Sequence, residues 1–359
     1  MCNDAPMPRP NVRSSIVAAV LAMASMAGGA EVRDGLYGVR AVSPREAFAV
    51  GTFGAVVHTV DGGVTWTAQD SGTKQPLFSV DFADPRHGWA VGKSALIIHT
   101  DDGGTTWTTQ ASPIGAEKHL FKVKAIDART AWAVGDWGAI TTTVDGGRTW
   151  QDRSLGTQAL RTDDTAGRRS SVVTDDVILY DVSFPDARHG FVCGEFGSVL
   201  TTDDGGATWW LRPTPTEKTL FGVYFRSPTE GWAVGIDGLV MHTEDAARTW
   251  TVQHGHPETA AVDEISFIEQ MQNPGMYAVG VDGRYGVVVG DVGMLLVSDD
   301  GGRTWQRRLL PATHRLIWLR DVSLLPDGGF LVGANGFRGV VTGDDVRVAG
   351  SGEPATPAP

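Results

Sequence analysis

Asp61-Gly62-Gly63-Val64-Thr65-Trp66 is the first copy of a motif, Asp-Gly-Gly-x-Thr-Trp, that recurs along this chain. Further intact copies begin at Asp102, Asp145, Asp204 and Asp300. In one more copy, residues 245–250, Ala246 and Ala247 replace the two glycines. The tryptophans of successive copies lie 41, 43, 59, 41 and 55 residues apart. Because repeats of about 40 to 45 residues made of strands are typical of β-propellers, the motif predicts that architecture.

The segments around the motif repeat in the same register. Leu77 to Phe82 predicts a strand, since Phe78, Val80 and Phe82 alternate with polar Ser79 and Asp81. A Gly-Trp-Ala-Val-Gly segment follows, then a third apolar segment from Ala95 to Thr100, and the motif tryptophan opens a fourth strand. The fold class is therefore all-β, a seven-bladed β-propeller with four-stranded antiparallel blades. The blades start near residues 36, 77, 120, 179, 220, 276 and 319.

The chain divides into three parts: a signal segment at 1–30, the propeller at 31–350 and an unstructured tail at 351–359. The seventh repeat lacks the motif and has Asp344-Asp345-Val346 in its place. Its outer strand could come from residues 346–348 or from residues 31–33, and the sequence leaves both open. A degenerate last repeat is expected in a closing blade, because a terminal unit meets different neighbours.

Composition narrows the function class. The chain has 359 residues with a net charge of -12, and no stretch dense in lysine or arginine offsets the acidic total. This disfavours nucleic-acid binding, which depends on cationic contacts to phosphates. We expect a soluble, acidic protein, a monomer without cofactor.

The N-terminal residues resemble a secretory signal of bacterial type. Arg9 and Arg13 precede an apolar run at residues 16–27, and small residues follow it. The run is shorter than the roughly 20 residues that span a bilayer. Cleavage after Ala27 or after Ala30 fits equally well. We therefore expect an exported protein, periplasmic or extracellular, in which Cys193 is a lone buried thiol.

The aspartates of the motif are better explained by structure than by catalysis. Glycine adopts positive φ without steric cost, aspartate accepts hydrogen bonds from turn amides, and tryptophan covers the turn. Repeated acids around a ring also face away from one another. We predict that the motif locks a turn between the third and fourth strands of each blade.

The motif resembles the Asp-box, or BNR, repeat of sialidases and of several non-enzymatic propellers. Sialidases carry an arginine triad, a tyrosine paired with an acid, and an aspartate, which must converge in one cleft. No Phe-Arg-Ile-Pro segment occurs near the start of this chain, and only Tyr224 and Tyr285 fall outside the aromatic column of the first strands. A sialidase-like hydrolase, or a propeller that binds carbohydrate or another small ligand, is the alternative hypothesis.

The complete repeat, Leu-Phe/Tyr-x-Val, Gly-Trp-Ala-Val-Gly and Asp-Gly-Gly-x-Thr-Trp, is similar to the photosystem II assembly and stability factor family of BNR-repeat propellers. The resemblance runs from Leu36 to about Val348. It implies a non-enzymatic, exported scaffold for assembling a membrane complex, and we expect a bacterial, non-photosynthetic relative. The resemblance also implies an arginine-rich patch that contacts the client.

Two faces are candidates for partner binding. The hairpins between second and third strands, with the connections between blades, form one side, which we call the hairpin face. Its aromatic tips are Phe53, Trp137 and Phe196, where a merely solvated turn would favour polar residues. The remaining candidates on this face are Lys93, Asp136, Glu195, Asp237, Asp291 and Asn335. The alternative is that each aromatic ring packs over its neighbouring hairpin.

The opposite side, here the box face, carries the Asp-box turns and the loops between first and second strands. Four arginines share one position in these loops: Arg45, Arg86, Arg129 and Arg188. They could bind an acidic partner, or each could pair with a nearby acid such as Asp101 or Asp203. Two long insertions, residues 151–176 and 251–274, lie on the hairpin face. His254 and His256 in the second lack a third ligand, so we predict no metal site.

Overall fold

The computed structural model describes residues 35–157, 160–162, 176–254, 274–326, 328–342, 345–348 and 356–357. Within these ranges the chain forms seven antiparallel sheets, each containing four strands in sequence order, and this confirms the expected seven-bladed, all-β propeller. Residues 1–30, for which a signal segment is predicted, lie outside the described ranges, as do residues 31–33, most of the two insertions and His256. None of the described helices is long and apolar enough to span a membrane.

The first strand of each blade lines a central channel. These inner strands are β1 (Leu36–Ser43), β5 (Leu77–Phe82), β9 (Leu120–Ala125), β14 (Leu179–Ser183), β18 (Leu220–Phe225), β22 (Met276–Asp282) and β26 (Leu319–Leu325). Each inner strand contacts the next, and β26 contacts β1, so the ring is closed.

The simple alternation expected for these strands is wrong at one position. Leu77 pairs with Gly92 and Ser79 with Val91, which leaves Phe78 as the extra residue of a bulge. A bulge redirects the side chain of its extra residue, and Phe78 lines the mouth of the channel. Ser79 and Asp81 are buried rather than solvated.

The second and third strands form the hairpins of each blade. The second strands are β2 (Glu46–Gly51), β6 (Gly88–Gly92), β10 (Ala131–Gly135), β15 (Gly190–Gly194), β19 (Gly231–Gly235), β23 (Tyr285–Gly290) and β27 (Gly328–Gly333). The third strands are β3 (Val56–Thr59), β7 (Ile97–Thr100), β11 (Ile140–Thr143), β16 (Val199–Thr202), β20 (Val240–Thr243), β24 (Leu295–Ser298) and β28 (Arg338–Thr342). β7 begins two residues later than expected, because Lys93–Ala95 forms a 3-10 turn. Every second strand ends in glycine: a Cβ at Gly92 would lie 2.1 Å from the carbonyl oxygen of Pro76.

The outer strands are short. They are β4 (Thr67–Gln69), β8 (Thr108–Gln110), β12 (Gln151–Asp152), β17 (Trp210–Arg212), β21 (Thr251–His254), β25 (Gln306–Leu309) and β29 (Asp345–Val348). β29 supplies the fourth strand of the seventh blade, which settles how that blade is completed. β13 (Arg161–Thr162), from the first insertion, adds to β17 in parallel. Within the tail, β30 (Thr356–Pro357) pairs with β25.

The hydrophobic core lies between neighbouring blades. Phe48 and Val50 of the first blade pack against Leu77 and Phe82 of the second. The same kind of cluster joins the first and seventh blades, where Leu36, Val39 and Ala47 pack with Phe330 and Val332. Cys193 is confirmed as a buried residue of such a cluster, and burial raises the pKa of its thiol.

Candidate functional site

The hairpin tips hold the backbone in a left-handed conformation. The residues at this position have φ between 49° and 57° and are Phe53, Ser94, Trp137, Phe196, Asp237, Val292 and Asn335. Left-handed backbone costs a residue with a side chain about 1–2 kcal/mol, and asparagine and aspartate offset it by local hydrogen bonds. Phe53, Trp137 and Phe196 have no such compensation, so their backbone is strained.

The three aromatic tips are exposed. The exposed fractions are 68% for Phe53, 47% for Trp137 and 59% for Phe196. None of these rings stacks on another aromatic ring among the described residues. Trp137 contacts Lys118, whose Nζ lies 5.9 Å from the ring centroid. Much of each ring is therefore accessible to solvent.

The acids of the hairpin face have partners within the protein. Asp136 accepts a hydrogen bond of 2.8 Å from the main-chain N–H of His119, and Glu195 accepts one of 2.9 Å from that of Ile178. The hydroxyl of Tyr277 donates to Asp291, and Lys218 forms an ion pair of 2.9 Å with Asp237. These four acids thus bind residues at or just before the start of the inner strands. Lys93 and Asn335 are exposed.

The arginines of the box face, Arg45, Arg86, Arg129 and Arg188, are all exposed. Arg86 Nε donates to the main-chain carbonyl of Asp101 at 3.2 Å, and Arg188 Nη2 to that of Asp203 at 3.2 Å. The expected pairing with these acids is thus corrected: the acceptor is the carbonyl, not the carboxylate. Arg284 in the sixth blade makes the same bond to Asp299, at 3.1 Å.

The Asp-box turns are locked as expected. Asp61 accepts hydrogen bonds from the main-chain N–H of Thr65 at 2.9 Å, from its hydroxyl at 2.6 Å and from Thr59 Oγ1 at 2.8 Å. These bonds, chiefly those from Thr65, lower the pKa of Asp61 to about 2. Gly62 and Gly63 have φ of 80° and 83°. The box acids are engaged in their own turns, which makes them structural.

A ring of aromatic side chains surrounds the mouth of the channel on the hairpin face, and we call it the collar. Its members, one from the bulge of each of the first six inner strands, are Tyr37, Phe78, Phe121, Tyr180, Phe221 and Tyr277. Centroids of successive rings lie 5.0–5.8 Å apart. Trp318 stacks on Tyr37 at 5.6 Å, and Arg320 lies over Tyr277 at 4.3 Å, which completes the ring. The collar encloses a cavity of about 260 Å³.

Charged residues form the floor of the collar cavity. Lys122 Nζ lies 3.2 Å from Asp321 and 3.8 Å from Asp181. Burial, reinforced by the charge of Asp321, raises the pKa of Asp181 to about 6 despite the opposing effect of Lys122. Burial lowers the pKa of Lys122, but the two acids outweigh it and raise that pKa overall.

A second cavity, of about 300 Å³, lies beyond this floor. In its wall Asp81 pairs with Arg40 at 2.9 Å and with Lys124 at 3.1 Å. Burial raises the pKa of Asp81, but these two cations outweigh it and lower that pKa overall. The charged groups of the collar floor and of this wall are therefore paired with one another inside the channel.

The described residues that line the collar cavity do not form the constellation of a sialidase. Tyr277 and Asp291 are a tyrosine–acid pair, but Arg320 is the one arginine among the described residues that line the collar cavity. Burial and the bond to Asp291 raise the pKa of Tyr277, which opposes its use as a nucleophile. Burial and Asp282 raise the pKa of Tyr224 to about 12.

Among the described residues, one group could hold a metal ion by distance alone: Glu230, His242 and Glu244. Arg226 already binds both carboxylate oxygens of Glu230, at 2.8 and 2.6 Å. The first blade repeats the carboxylate–imidazole pair as Glu46 and His58, 3.0 Å apart. The group thus belongs to the scaffold. His254, considered above as a metal ligand, bonds to the carbonyl of Gly238 at 2.8 Å.

The family model of the photosynthesis system II assembly factor YCF48 matches residues 29–157 and 159–258, which is more than half of the chain. The chain belongs to this family. A BNR/Asp-box repeat model matches residues 296–307 in addition. A search of curated proteins found no significant match.

Solved YCF48 structures share the fold. YCF48 bound to D1 peptide is 19% identical, with a TM-score of 0.64, over 87% of this chain and 94% of that one. YCF48 from Cyanidioschyzon merolae is 20% identical, with a TM-score of 0.65, over 87% and 96%. An ancestral GH74 enzyme is 13% identical, with a TM-score of 0.57, over 86% of this chain and 45% of its own. At these identities the similarity establishes the propeller and nothing finer.

Sequence reasoning did not find several residues of this YCF48-family chain that the structure places at the channel mouth. The repeat pattern predicts a column of packed aromatics at these positions and assigns no role to Trp318, Arg320 or Lys122. A signal existed, because Arg320 is the one non-aromatic residue of that column. Leu316, 78% exposed beside the sixth hairpin, was also missed.

Proposed function

We propose that this protein is a non-enzymatic, exported scaffold that binds a protein partner through its hairpin face and aids assembly or stability of a membrane or envelope complex. The observation that carries the proposal is the set of strained, exposed aromatic tips Phe53, Trp137 and Phe196. Backbone strain persists where the surroundings impose it and clusters at functional sites. Exposed aromatic residues are the usual anchors of protein interfaces.

Family membership supports a role in assembly. One solved member is described as bound to a D1 peptide, and we propose that the present chain likewise binds a segment of another protein. The engaged box acids and the single arginine at the collar favour a scaffold over a hydrolase. Hydrolysis of a fluorogenic sialoside above the buffer blank would overturn the non-enzymatic assignment.

Export is supported by the order of basic, apolar and small residues in the first 30 positions. Expression in a bacterial host should yield a mature chain in the periplasm or medium that begins at Gly28 or Glu31. N-terminal sequencing of each fraction measures this. A cytoplasmic product that keeps Arg9 and Arg13 would contradict export.

Capture of partners from envelope extracts tests the hairpin face. We predict that the triple variant Phe53→Asn, Trp137→Asn, Phe196→Asn loses at least tenfold of the partner recovered by the unaltered protein. Asparagine is chosen because Asn335 holds the same position and backbone conformation in the seventh blade. The triple variant should also melt at a slightly higher temperature, because asparagine tolerates left-handed backbone better.

The control changes the box face: Arg45→Gln, Arg86→Gln, Arg129→Gln, Arg188→Gln. It should recover the same partner in the same amount. Loss of capture in this control, with full capture by the triple variant, would transfer the site to the arginines.

A further inference from the structure

The hydrogen-bond acceptors on the floor of the collar cavity already have partners within the protein. One carboxylate oxygen of Asp181 accepts from the main-chain N–H of Val223 at 2.9 Å, and the other accepts from that of Val182 at 2.8 Å. Lys122 adds an ion pair. A carboxylate with these partners has little capacity left for a ligand cation or a sugar hydroxyl.

Asp321 is occupied in the same way. Its two oxygens accept from the main-chain N–H groups of Val39 and Val322, both at 3.0 Å, and Lys122 donates to it at 3.2 Å. Because Lys122 is held between two acids, its charge is compensated within the protein. The floor therefore closes the cavity without offering a strong binding group.

Arg320 differs from the floor residues. Its guanidinium makes a cation–π contact with Tyr277 at 4.3 Å, and it forms no ion pair or hydrogen bond with any residue in the described ranges. Trp318, stacked on Tyr37, already closes the aromatic ring toward the first blade. The guanidinium of Arg320 lines the collar cavity, and its N–H groups can donate hydrogen bonds to a ligand there.

The walls add apolar surface. Seven aromatic side chains line the space. The positive charge of Arg320 is close enough to oppose the burial and the Glu195 charge that raise the pKa of Tyr180. A cavity with apolar walls and an unpaired, planar guanidinium matches a ligand with an apolar body and a carboxylate, which a guanidinium binds through two parallel hydrogen bonds.

We propose that the collar cavity is a binding site for an apolar carboxylate, anchored by Arg320. The ligand is either a free aryl or alkyl carboxylic acid or the carboxyl end of a protein chain. This site lies in the channel, apart from the aromatic tips, and stands independently of the scaffold proposal.

Calorimetric titration of 3-phenylpropionate into the full chain tests the proposal, with neutral 3-phenylpropan-1-ol as the matched probe. We expect the acid to bind at least tenfold more tightly than the alcohol. Arg320→Gln should weaken acid binding at least tenfold, Arg320→Lys should weaken it less, and Arg45→Gln on the box face should leave it unchanged. Equal binding of acid and alcohol, no binding of either, or full binding by a folded Arg320→Gln variant would overturn the proposal.

Peptides distinguish the two sources of the carboxylate. A short peptide that ends in phenylalanine is compared as the free acid and as the amide. Tenfold tighter binding of the free-acid peptide than of 3-phenylpropionate assigns the site to a chain end, whereas equal or weaker binding assigns it to a small acid. Equal binding of the peptide acid and its amide, together with insensitivity to Arg320→Gln, would contradict the site altogether. Partner capture by Arg320→Gln reports separately on the scaffold proposal.

Discussion

At the scale of single residues, a positive φ occurs both in the Asp-box turns and at the hairpin tips of this protein. In the boxes it falls on glycines such as Gly62, where it costs little, whereas in the degenerate box it falls on Ala246 and Ala247, with φ of 62° and 63°. At three of the seven hairpin tips it falls on bulky aromatics, Phe53, Trp137 and Phe196. The alanines carry strain in a turn whose chemistry is otherwise unchanged, since Asp245 still binds Thr249.

Replacing the first of these alanines should therefore stabilise the protein. Ala246→Gly removes about 1–2 kcal/mol of backbone strain from the folded state. It also makes the unfolded chain more flexible, which lowers the free energy of unfolding by about 0.4–1 kcal/mol. We predict a net gain of about 0.5–1 kcal/mol, measured as a higher melting temperature in calorimetry. The matched reverse change is Gly62→Ala, where a Cβ would meet only the Pro44 carbonyl, at 3.7 Å. An unchanged or higher melting temperature for Gly62→Ala would show that φ strain is not the cause.

Glutamine side chains link neighbouring blades by accepting hydrogen bonds from tryptophan indole N–H groups. Gln110 Oε1 accepts from Trp150 Nε1 at 2.9 Å, whereas the buried Trp209 Nε1 of the fourth blade has no acceptor among the described residues. Arg153, directly after the outer strand of the third blade, stands where the second blade has Gln110, and arginine cannot accept a hydrogen bond.

We predict that Arg153→Gln gives Trp209 an acceptor and raises stability by about 1 kcal/mol. Gln110→Leu, the opposite change, should lower stability by about 1–3 kcal/mol because it leaves buried donors unpaired. Thermal unfolding followed by tryptophan fluorescence measures both. If Arg153→Gln melts at or below the temperature of the unaltered protein, glutamine at this position does not form the predicted hydrogen bond with Trp209.

At the scale of the elements, the Asp-box turn makes stability depend on pH. Hydrogen bonds from Thr149 lower the pKa of Asp145 from 3.8 to about 2, and Asp61 behaves alike. A carboxylate with a lowered folded-state pKa stabilises the protein above its unfolded pKa and loses that effect as pH falls through the folded value. The contribution of the boxes should thus be constant above about pH 5 and decline from about pH 4 to pH 2.

Asp145→Asn tests this dependence. The variant should melt below the unaltered protein at pH 7, and the difference should shrink toward pH 2, where the native aspartate is becoming protonated. Melting curves at unit intervals from pH 2 to pH 7 measure it. A difference that stays constant over this range would mean that charge on Asp145 plays no part in the turn.

The inner strands show what could not be predicted from the sequence at this scale. The pattern predicted a strand at Leu77–Phe82, which exists, but it could not predict the bulge that turns Phe78 toward the channel. Alternation predicts two faces, whereas the polar Asp81 lines a lumen that exists only once seven strands form a ring. The contacts of Trp318 and Arg320 also form only when the ring closes, because Trp318 contacts Tyr37 of the first blade and Arg320 contacts Tyr277 of the sixth.

At the scale of the whole molecule, the sequence predicts the fold well because each blade repeats the same local signals. Tryptophan spacing and the Asp-boxes gave the blade order, and Trp66, Trp107 and Trp150 pack as their repetition implies. The candidate site was predicted only in part. Departures from the repeat located Phe53, Trp137 and Phe196, but the partners that hold Asp136 and Glu195 depend on three-dimensional contacts.

The two ends of the propeller are built differently. The box face repeats one turn held by its own hydrogen bonds, whereas the hairpin face combines strained aromatic tips with the collar. We therefore infer that the box face chiefly stabilises the fold and that the hairpin face binds the partner. Hydrogen–deuterium exchange of the protein with and without a captured partner tests that division most directly. We predict slower exchange in the partner complex at residues 52–54, 136–138 and 195–197, with unchanged exchange in the box turns at 61–66 and 145–150. Protection confined to the box turns, with unchanged hairpins, would contradict the account.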